Sequence, residues 1–329
     1  VDNNMVSRVE HAMKSPWSCS DWVTVAGVPP ARCWGMRGSG GVKVSGRTNS
    51  PNDCASNASG PFYVGAMTDQ LADFDLRPMR FGDSTYDVYI AGSGPAVVVF
   101  PEIPGITPDV ADFGRRVIQA GFTVYVASLF GEPGKAFSGR YAGTTLAKQC
   151  VRREFLAFAR NKRAPITAWM RSLATRAHRE CGGPGVGVVG MCFTGNFALG
   201  LAVDPAVLVP VMSQPSMPFA ISKKHRSDLH VAPDDLAQIK RRVVDEDLCV
   251  IGFRFTADRL VPAERFERLR HEFGDAFIGV EIDSGKGNEH GFAKKAHSVL
   301  TAEYSAEPNH PTNQAMELVL DHFRQKLQP

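Results

Sequence analysis

The sequence predicts an α/β fold in which a mostly parallel central sheet carries helices on both faces. Short apolar runs with high β-propensity, such as 96–100 and 186–189, alternate along the chain with helical segments. This strand–helix–strand order is typical of parallel strands joined by right-handed crossovers. A glycine-flanked strand-to-helix junction at 190–195 supports the same fold, because small residues are needed where a chain turns sharply.

Composition excludes several classes of protein. The 329 residues carry a net charge of +3 with acidic and basic residues interspersed, which indicates neither a nucleic-acid nor a membrane surface. No apolar run approaches the ~20 residues of a membrane span, and no basic-then-apolar leader opens the sequence. The seven cysteines include no C-x-x-C pair, so neither a disulfide framework nor a zinc site is expected. We therefore expect a cytoplasmic protein with reduced thiols, without metal or organic cofactor, as a monomer or small homo-oligomer.

The chain divides into two parts of different character. Residues 1–66 are rich in Gly, Ser, Asn and Pro, and no strand or helix periodicity persists there. We expect an irregular or disordered N-terminal extension, whose part in the working protein the sequence leaves open. Residues 70–327 are expected to form one α/β domain.

The first half of this domain begins with alternating runs at 75–80 and 85–90, separated by Gly82-Asp83-Ser84, which predict an antiparallel hairpin. The apolar run 96–100 predicts a buried strand, followed by a helix over 109–120 and a strand over 123–127.

The second half is predicted by the same patterns, with two insertions at 131–165 and 213–247 that are expected to shape a substrate pocket. The predicted helices are 146–160, 166–181, 196–201, 234–244, a helix ending near 273, and 313–327. The predicted strands are 186–189, 206–212, 248–255 and 277–282.

Four candidate functional residues follow predicted strands. These are Glu102, Cys192, Asp258 and His290, and ligands of open α/β sheets bind at the carboxyl ends of the strands. The order nucleophile, acid, histidine is one of the known orders of catalytic triads. His297 competes with His290 for the histidine position, and the His-Gly-Phe context favours His290.

Cys192 lies at the strand-to-helix junction, where a nucleophile elbow would present one side chain above the sheet. A thiol at a helix N-terminus also gains from the helix dipole, which stabilises thiolate. Taken alone, the motif equally suits a small buried cysteine after a core strand.

Together these motifs resemble the dienelactone hydrolases (carboxymethylenebutenolidases), a cysteine branch of the α/β-hydrolase fold. The resemblance covers residues 74–323 and is carried by Phe100-Pro-Glu-Ile-Pro-Gly105, Gly190-Met-Cys-Phe-Thr-Gly195, Asp258-Arg-Leu-Val-Pro262 and His290-Gly-Phe-Ala293.

The resemblance implies a carboxylic ester hydrolase that cleaves a small-molecule lactone or ester through an acyl-enzyme. Cys192 would be the nucleophile, His290 its base, and Asp258 the residue that orients the histidine. The backbone N–H groups of Phe193 and Ile103 would form the oxyanion hole.

The resemblance also implies that Glu102 holds the thiol unreactive until substrate arrives, since a nearby carboxylate disfavours thiolate.

The sequence departs from the family pattern in two places. Thr194 stands where the elbow usually has glycine, so we expect a looser turn or a shifted strand. Lys294 replaces an arginine expected to hold a substrate carboxylate, and Arg152 or Arg153 is a further candidate cation. A broad esterase or thioesterase on the same triad, or a non-catalytic binding protein of this fold, therefore remains open.

Overall fold

The computed structural model describes residues 70–328, and the extension expected at 1–66 lies outside them. Eight strands form one sheet in the order β1-β2-β4-β3-β5-β6-β7-β8. The strands are β1 (Asp75–Phe81), β2 (Ser84–Gly92), β3 (Ala96–Phe100), β4 (Thr123–Ser128), β5 (Val186–Met191), β6 (Val207–Ser213), β7 (Val250–Phe255) and β8 (Phe277–Ile282).

The sheet is antiparallel at one edge and parallel elsewhere. β1 pairs with β2 and β2 with β4 in antiparallel register, while β4, β3, β5, β6, β7 and β8 run parallel to one another. The carboxyl ends of the six parallel strands therefore meet at one edge of the sheet, where ligands of such sheets bind.

Within residues 70–328, eight α-helices connect and cover the strands. They are α1 (Pro108–Gln119), α2 (Gly139–Cys150), α3 (Ile166–Cys181), α4 (Gly195–Leu201), α5 (Lys223–Arg226), α6 (Pro233–Glu246), α7 (Ala263–Phe273) and α8 (Pro311–Leu327). The first of them begins where its sequence favours a helix start, because Thr107 accepts a hydrogen bond from the backbone N–H of Val110 and proline follows at the first helical position.

The sheet separates two hydrophobic cores. Along β3, Val97 and Val99 face the core that contains α1 and α8, while Val98 and Phe100 face the core that contains α3, α4, α6 and α7. Every residue of β3 and β5 is buried, which explains why both strands read as continuous apolar runs instead of alternating ones.

The predicted helix at 146–160 is wrong. The helix in this insertion starts earlier, at Gly139, because the Ser138 hydroxyl accepts from the backbone N–H of Tyr141, and it ends at Cys150. The following residues turn irregularly, since Leu156 and Asn161 have positive φ angles of 48° and 50°, which a right-handed helix cannot accommodate.

Within residues 70–328, no helix combines the length and apolar character needed to cross a membrane. Cys150, Cys181 and Cys192 are free thiols.

Candidate active site

Cys192 lies between β5 and α4, at the first residue of a short 3₁₀ turn that spans Cys192–Thr194. Its φ angle is 52°, in the left-handed region that residues with a side chain rarely adopt. Strained backbone of this kind is typical of functional sites and of nucleophile elbows in particular. The side chain is only partly buried, so the turn presents the thiol at the carboxyl edge of the sheet.

Two glycines make this turn possible. A Cβ atom on Gly190 would lie 2.4 Å from the carbonyl oxygen of Thr194, and one on Gly195 would lie 2.5 Å from Cα of Pro215. Both neighbours are backbone atoms that cannot rotate away. The tightness of the elbow itself therefore requires glycine at 190, and its close approach to the β6–α5 connection requires glycine at 195.

Thr194 is tied into the protein and is fully buried. Its hydroxyl donates to the carbonyl oxygen of Phe100 at 2.6 Å and accepts from the backbone N–H of Met191 at 2.9 Å. The threonine thus fastens the elbow to the end of β3. The expectation of a looser turn is not met, because the hydroxyl supplies a tether that glycine lacks.

The histidine that reaches the acid is His297. Its Nδ1 lies 2.6 Å from Oδ2 of Asp258, and the other carboxylate oxygen accepts from the backbone N–H of Leu260 at 2.9 Å. The Nε2 atom of His297 is buried and makes no hydrogen bond within residues 70–328, with the Cys192 sulfur close enough to influence the ring charge. A loose contact between nucleophile and base is common before substrate binds.

His290 does not join this group, which corrects the expectation from the sequence. The residue is exposed, and its ring packs against those of Phe292 and His310. Asn288 explains this placement, because its side chain donates to the carbonyl oxygens of Gly285 and Phe292 and accepts from the Phe292 N–H. These bonds close a tight turn that holds His290 on the outside of the loop.

The charge environment of His297 favours its protonated form. Burial opposes charge on the ring, but the Cys192 sulfur and the Asp258 carboxylate outweigh it and hold the pKa of His297 well above its ordinary value. This is the electrostatic arrangement that an imidazole needs in order to take a proton from a thiol.

Glu102 is brought to the same edge but is engaged elsewhere. The carboxylate is 6% exposed and accepts hydrogen bonds from Gln214, at 3.0 Å, and from the hydroxyls of Ser298 and Thr301. The Cys192 sulfur instead lies 3.5 Å from Oγ of Ser216. Among residues 70–328, no hydrogen bond joins the Glu102 carboxylate to the Cys192 thiol.

Several residues of the site were missed from the sequence. Gln214 and Ser216 follow β6, and Ser298 and Thr301 follow His297. The position of the Ser213-Gln-Pro-Ser216 segment after a predicted strand was the one available signal. No local sequence pattern indicated Ser298 or Thr301, because their partner Glu102 lies almost 200 residues earlier in the chain.

A cluster of phenylalanine rings packs around Phe193, the residue that follows the nucleophile. The ring of Phe193 packs against those of Phe130, Phe155 and Phe219 at centroid distances of 5.2–6.1 Å. Ile103 and Cys192 contact the same core. Two of these rings come from the insertions at 131–165 and 213–247. Phe155 is fully buried and Phe219 is half-buried, so the insertions pack against the residue that follows the nucleophile.

The expected oxyanion residues lie at the ends of neighbouring strands. Phe193 follows Cys192 in the first turn before α4, where backbone N–H groups have no acceptor within a helix. Ile103 follows β3, which pairs with β5.

The candidate cations differ in position. Lys294, Lys295 and Arg259 line a cavity of about 360 Å³ together with Asp258 and His297. Arg152 is occupied by an ion pair with Glu154 at 2.5 Å and a 3.4 Å contact with Tyr86, and Arg153 is exposed. Lys294 is thus the expected cation that the structure places beside the histidine. Within residues 70–328, no three His, Cys, Asp or Glu side chains are grouped to hold a metal ion.

Comparison with known proteins agrees with this architecture. The sequence model of the dienelactone hydrolase family matches residues 86–327. A Klebsiella pneumoniae subsp. pneumoniae protein assigned as a dienelactone hydrolase has a similar structure, with a TM-score of 0.51 at 18% identity over 75% of this chain and 98% of its own. Esterase 2 of Thermogutta terrifontis, phosphoramylated by tabun, has a TM-score of 0.51 at 13% identity over 79% and 97%. These likenesses show a shared α/β-hydrolase fold. No curated protein has a sequence that matches this chain.

Proposed function

Because this chain belongs to the dienelactone hydrolase family, we propose that it hydrolyses a lactone or small carboxylic ester through Cys192, His297 and Asp258. The observation that carries the proposal is the His297 ring, which pairs with Asp258 through Nδ1 and has the Cys192 sulfur beside it. Such a nucleophile, base and orienting acid form a triad by geometry, whatever their order or spacing in the chain.

In the first step, His297 takes the proton of the Cys192 thiol and the thiolate attacks the carbonyl carbon of the ester. The negative charge that develops on the carbonyl oxygen is stabilised by the backbone N–H groups of Phe193 and Ile103. Collapse of this intermediate breaks the C–O bond, and the imidazolium returns its proton to the leaving alkoxide.

In the second step, His297 removes a proton from water, which attacks the thioester that links the acyl group to Cys192. Collapse releases a carboxylic acid, and the proton returns to the cysteine sulfur. Asp258 keeps the same imidazole tautomer throughout and stabilises its charged form. With a lactone, both groups remain in one hydroxy acid product.

The residues around the site support two candidate substrate classes. The cations Lys294, Lys295 and Arg259 line the cavity beside His297 and would attract a carboxylate on the substrate, as a carboxymethylenebutenolidase-type activity requires. Lysine supplies a point charge and not a planar fork, so it selects for charge more than for geometry. The half-buried ring of Phe219, which packs against Phe193 next to the nucleophile, supports a second candidate, a broad esterase or thioesterase that accepts apolar acyl groups.

The experiment is a substrate panel that combines carboxylated and uncharged lactones, 4-nitrophenyl esters of increasing chain length, and acyl thioesters. The proposal predicts a burst of 4-nitrophenol equal to the enzyme concentration on esters whose acyl-enzyme is hydrolysed more slowly than it forms. Turnover restricted to thioesters would replace the lactone and ester assignment by the second candidate. Absence of turnover and of a burst on every substrate would contradict both.

A further inference from the structure

The carboxylate of Glu102 lies at the centre of a buried hydrogen-bond cluster that we call the Glu102 cluster, comprising Glu102, Gln214, Ser298 and Thr301. Gln214 Nε2 and the Ser298 hydroxyl donate to Oε2, and the Thr301 hydroxyl donates to Oε1. None of the salt bridges among residues 70–328 involves this carboxylate. Its interactions are therefore directional hydrogen bonds from three separate donors.

The acceptor Glu102 and one of its donors, Gln214, follow strands that lie on either side of the strand before the nucleophile. Glu102 follows β3 and Gln214 follows β6, while β5 lies between these strands. The Glu102–Gln214 bond therefore crosses the carboxyl end of the strand that carries Cys192. Gln214 has a φ angle of 36°, so its backbone adopts an unfavourable conformation where it makes this bond.

The other side of the cluster is the segment directly after His297. Ser298 and Thr301 bond to Glu102, and the backbone N–H of Val299 donates to Oε1 of Gln214 at 3.3 Å. The Thr301 and Glu303 N–H groups both donate to the carbonyl oxygen of Ser298, which folds the segment into a turn. Three of the four residues after His297 are thus fixed to the ends of β3 and β6.

We propose that Glu102 is a positioning residue that sets His297 against Cys192 by holding the 298–301 turn, and that it does not act on the thiol directly. This inference rests on the proposed function for the role of His297. It predicts that removing any strong hydrogen bond of the cluster displaces the histidine, even when the Glu102 carboxylate itself remains. Direct restraint of the thiol by the carboxylate predicts the opposite, because only loss of the carboxylate would then matter.

The test compares Thr301→Val, which removes the hydroxyl at nearly constant volume, with Thr301→Ser, which keeps it. Alkylation of Cys192 by iodoacetamide at pH 7, located by mass spectrometry, reports on the thiol without any substrate. Thr301→Val removes a buried hydrogen bond to a charged group, and the free energy of such a bond corresponds to about 10-fold slower alkylation. Thr301→Ser keeps the bond, so its alkylation rate is expected to stay within about 2-fold of the parent rate. Glu102→Ala is expected to slow alkylation in the same direction, and the double variant is expected to add little to it, because both changes release one turn.

A second readout separates positioning from general loss of stability. NMR titration of the imidazole signals is expected to show a lower pKa for His297 in Thr301→Val and an unchanged one in Thr301→Ser, because a displaced ring loses its charged neighbours. Faster alkylation in Glu102→Ala with no change in Thr301→Val would overturn the proposal and favour direct restraint of the thiol. An unchanged His297 titration in Thr301→Val would also overturn it. Because neither readout needs a substrate, failure of the proposed hydrolysis would be seen separately.

Discussion

The elbow at 190–195 and the loop after β8, residues 283–301, supply the two halves of the site, and they are held in different ways. The elbow is fixed by its own backbone, with a positive φ at Cys192 and close approaches that require glycine at 190 and 195. The loop contains no helix or strand, and all of its residues are described. Its histidine is held by the side chain of Asp258 and by the Glu102 cluster.

This difference separates the part of an active site that a short sequence motif determines from the part that tertiary contacts determine. An elbow is a property of six consecutive residues, so the position of its nucleophile follows from a short motif. The histidine loop depends on partners that lie 39 and 196 residues away in the chain. Its conformation is set only when the sheet has brought those partners together.

The largest loss of activity is expected from a substitution in the elbow. Cys192→Ala removes the nucleophile and is expected to lower kcat/KM on the best substrate by at least about 10³-fold, measured by initial rates. Cys150→Ala, which removes another free thiol, serves as the control and is expected to retain full activity. Retained hydrolysis in Cys192→Ala would contradict the comparison, because the elbow would then not supply the nucleophile.

The second-largest loss of activity is expected when the contact between His297 in the loop and Asp258 after β7 is weakened. Asp258→Asn is expected to lower kcat/KM about 10²-fold, because the histidine loses the partner that fixes its tautomer and stabilises its charge.

The same variant has an expected pH dependence of stability. The folded-state pKa of His297 is raised above its unfolded value, so its contribution to stability is fully present below about pH 6.5 and is lost as pH rises through the folded-state pKa. Urea unfolding should therefore show a larger stability deficit of Asp258→Asn at pH 6 than at pH 10. An equal deficit at both pH values would show that the pair is not charged.

A third prediction sharpens the claim that the elbow is held by its backbone. Gly195→Ala places a Cβ 2.5 Å from Cα of Pro215 and is expected to cost about 1–3 kcal/mol of stability and about 10-fold in kcat/KM, since a small misplacement of the nucleophile is costly. Gly200→Ala in the same helix meets no atom within 4 Å. It is expected to be neutral or stabilising by about 0.5–1 kcal/mol, as measured by urea unfolding. Equal effects of the two substitutions would contradict the steric account.

The smallest effect is expected at Ser216, whose hydroxyl lies 3.5 Å from the Cys192 sulfur. Ser216→Ala removes one weak hydrogen bond and is expected to lower kcat/KM about 3-fold, corresponding to ~0.7 kcal/mol. Steady-state kinetics on the best substrate would measure it. A loss as large as that of Asp258→Asn would mean that the serine takes part in proton transfer.

The sequence predicted the sheet well because its central strands are buried on both faces. The predicted strand 96–100 coincides with β3, and 186–189 lies within β5. The elbow and the acid were also placed correctly at strand ends, since both positions are local to a strand that the apolar pattern identifies.

Local sequence patterns could not identify the correct histidine or the interactions of Glu102. The His-Gly-Phe motif favoured His290, but Asn288 folds that motif into an outward turn, and the chain returns to Asp258 only at His297. Glu102 was placed at the correct edge, yet its donors Ser298 and Thr301 are set by tertiary structure. The helix expected at 146–160 failed for a related reason, because residues with positive φ interrupt a pattern that is helical in composition.

The central claim is that His297, and not His290, completes the site. Its most direct test is the rate of ester hydrolysis by His297→Ala and His290→Ala under identical conditions, with unfolding curves to confirm that both variants are folded. The account predicts a loss of about 10³-fold in kcat/KM for His297→Ala and parent activity for His290→Ala. Full activity in His297→Ala, or a comparable loss in His290→Ala, would contradict it.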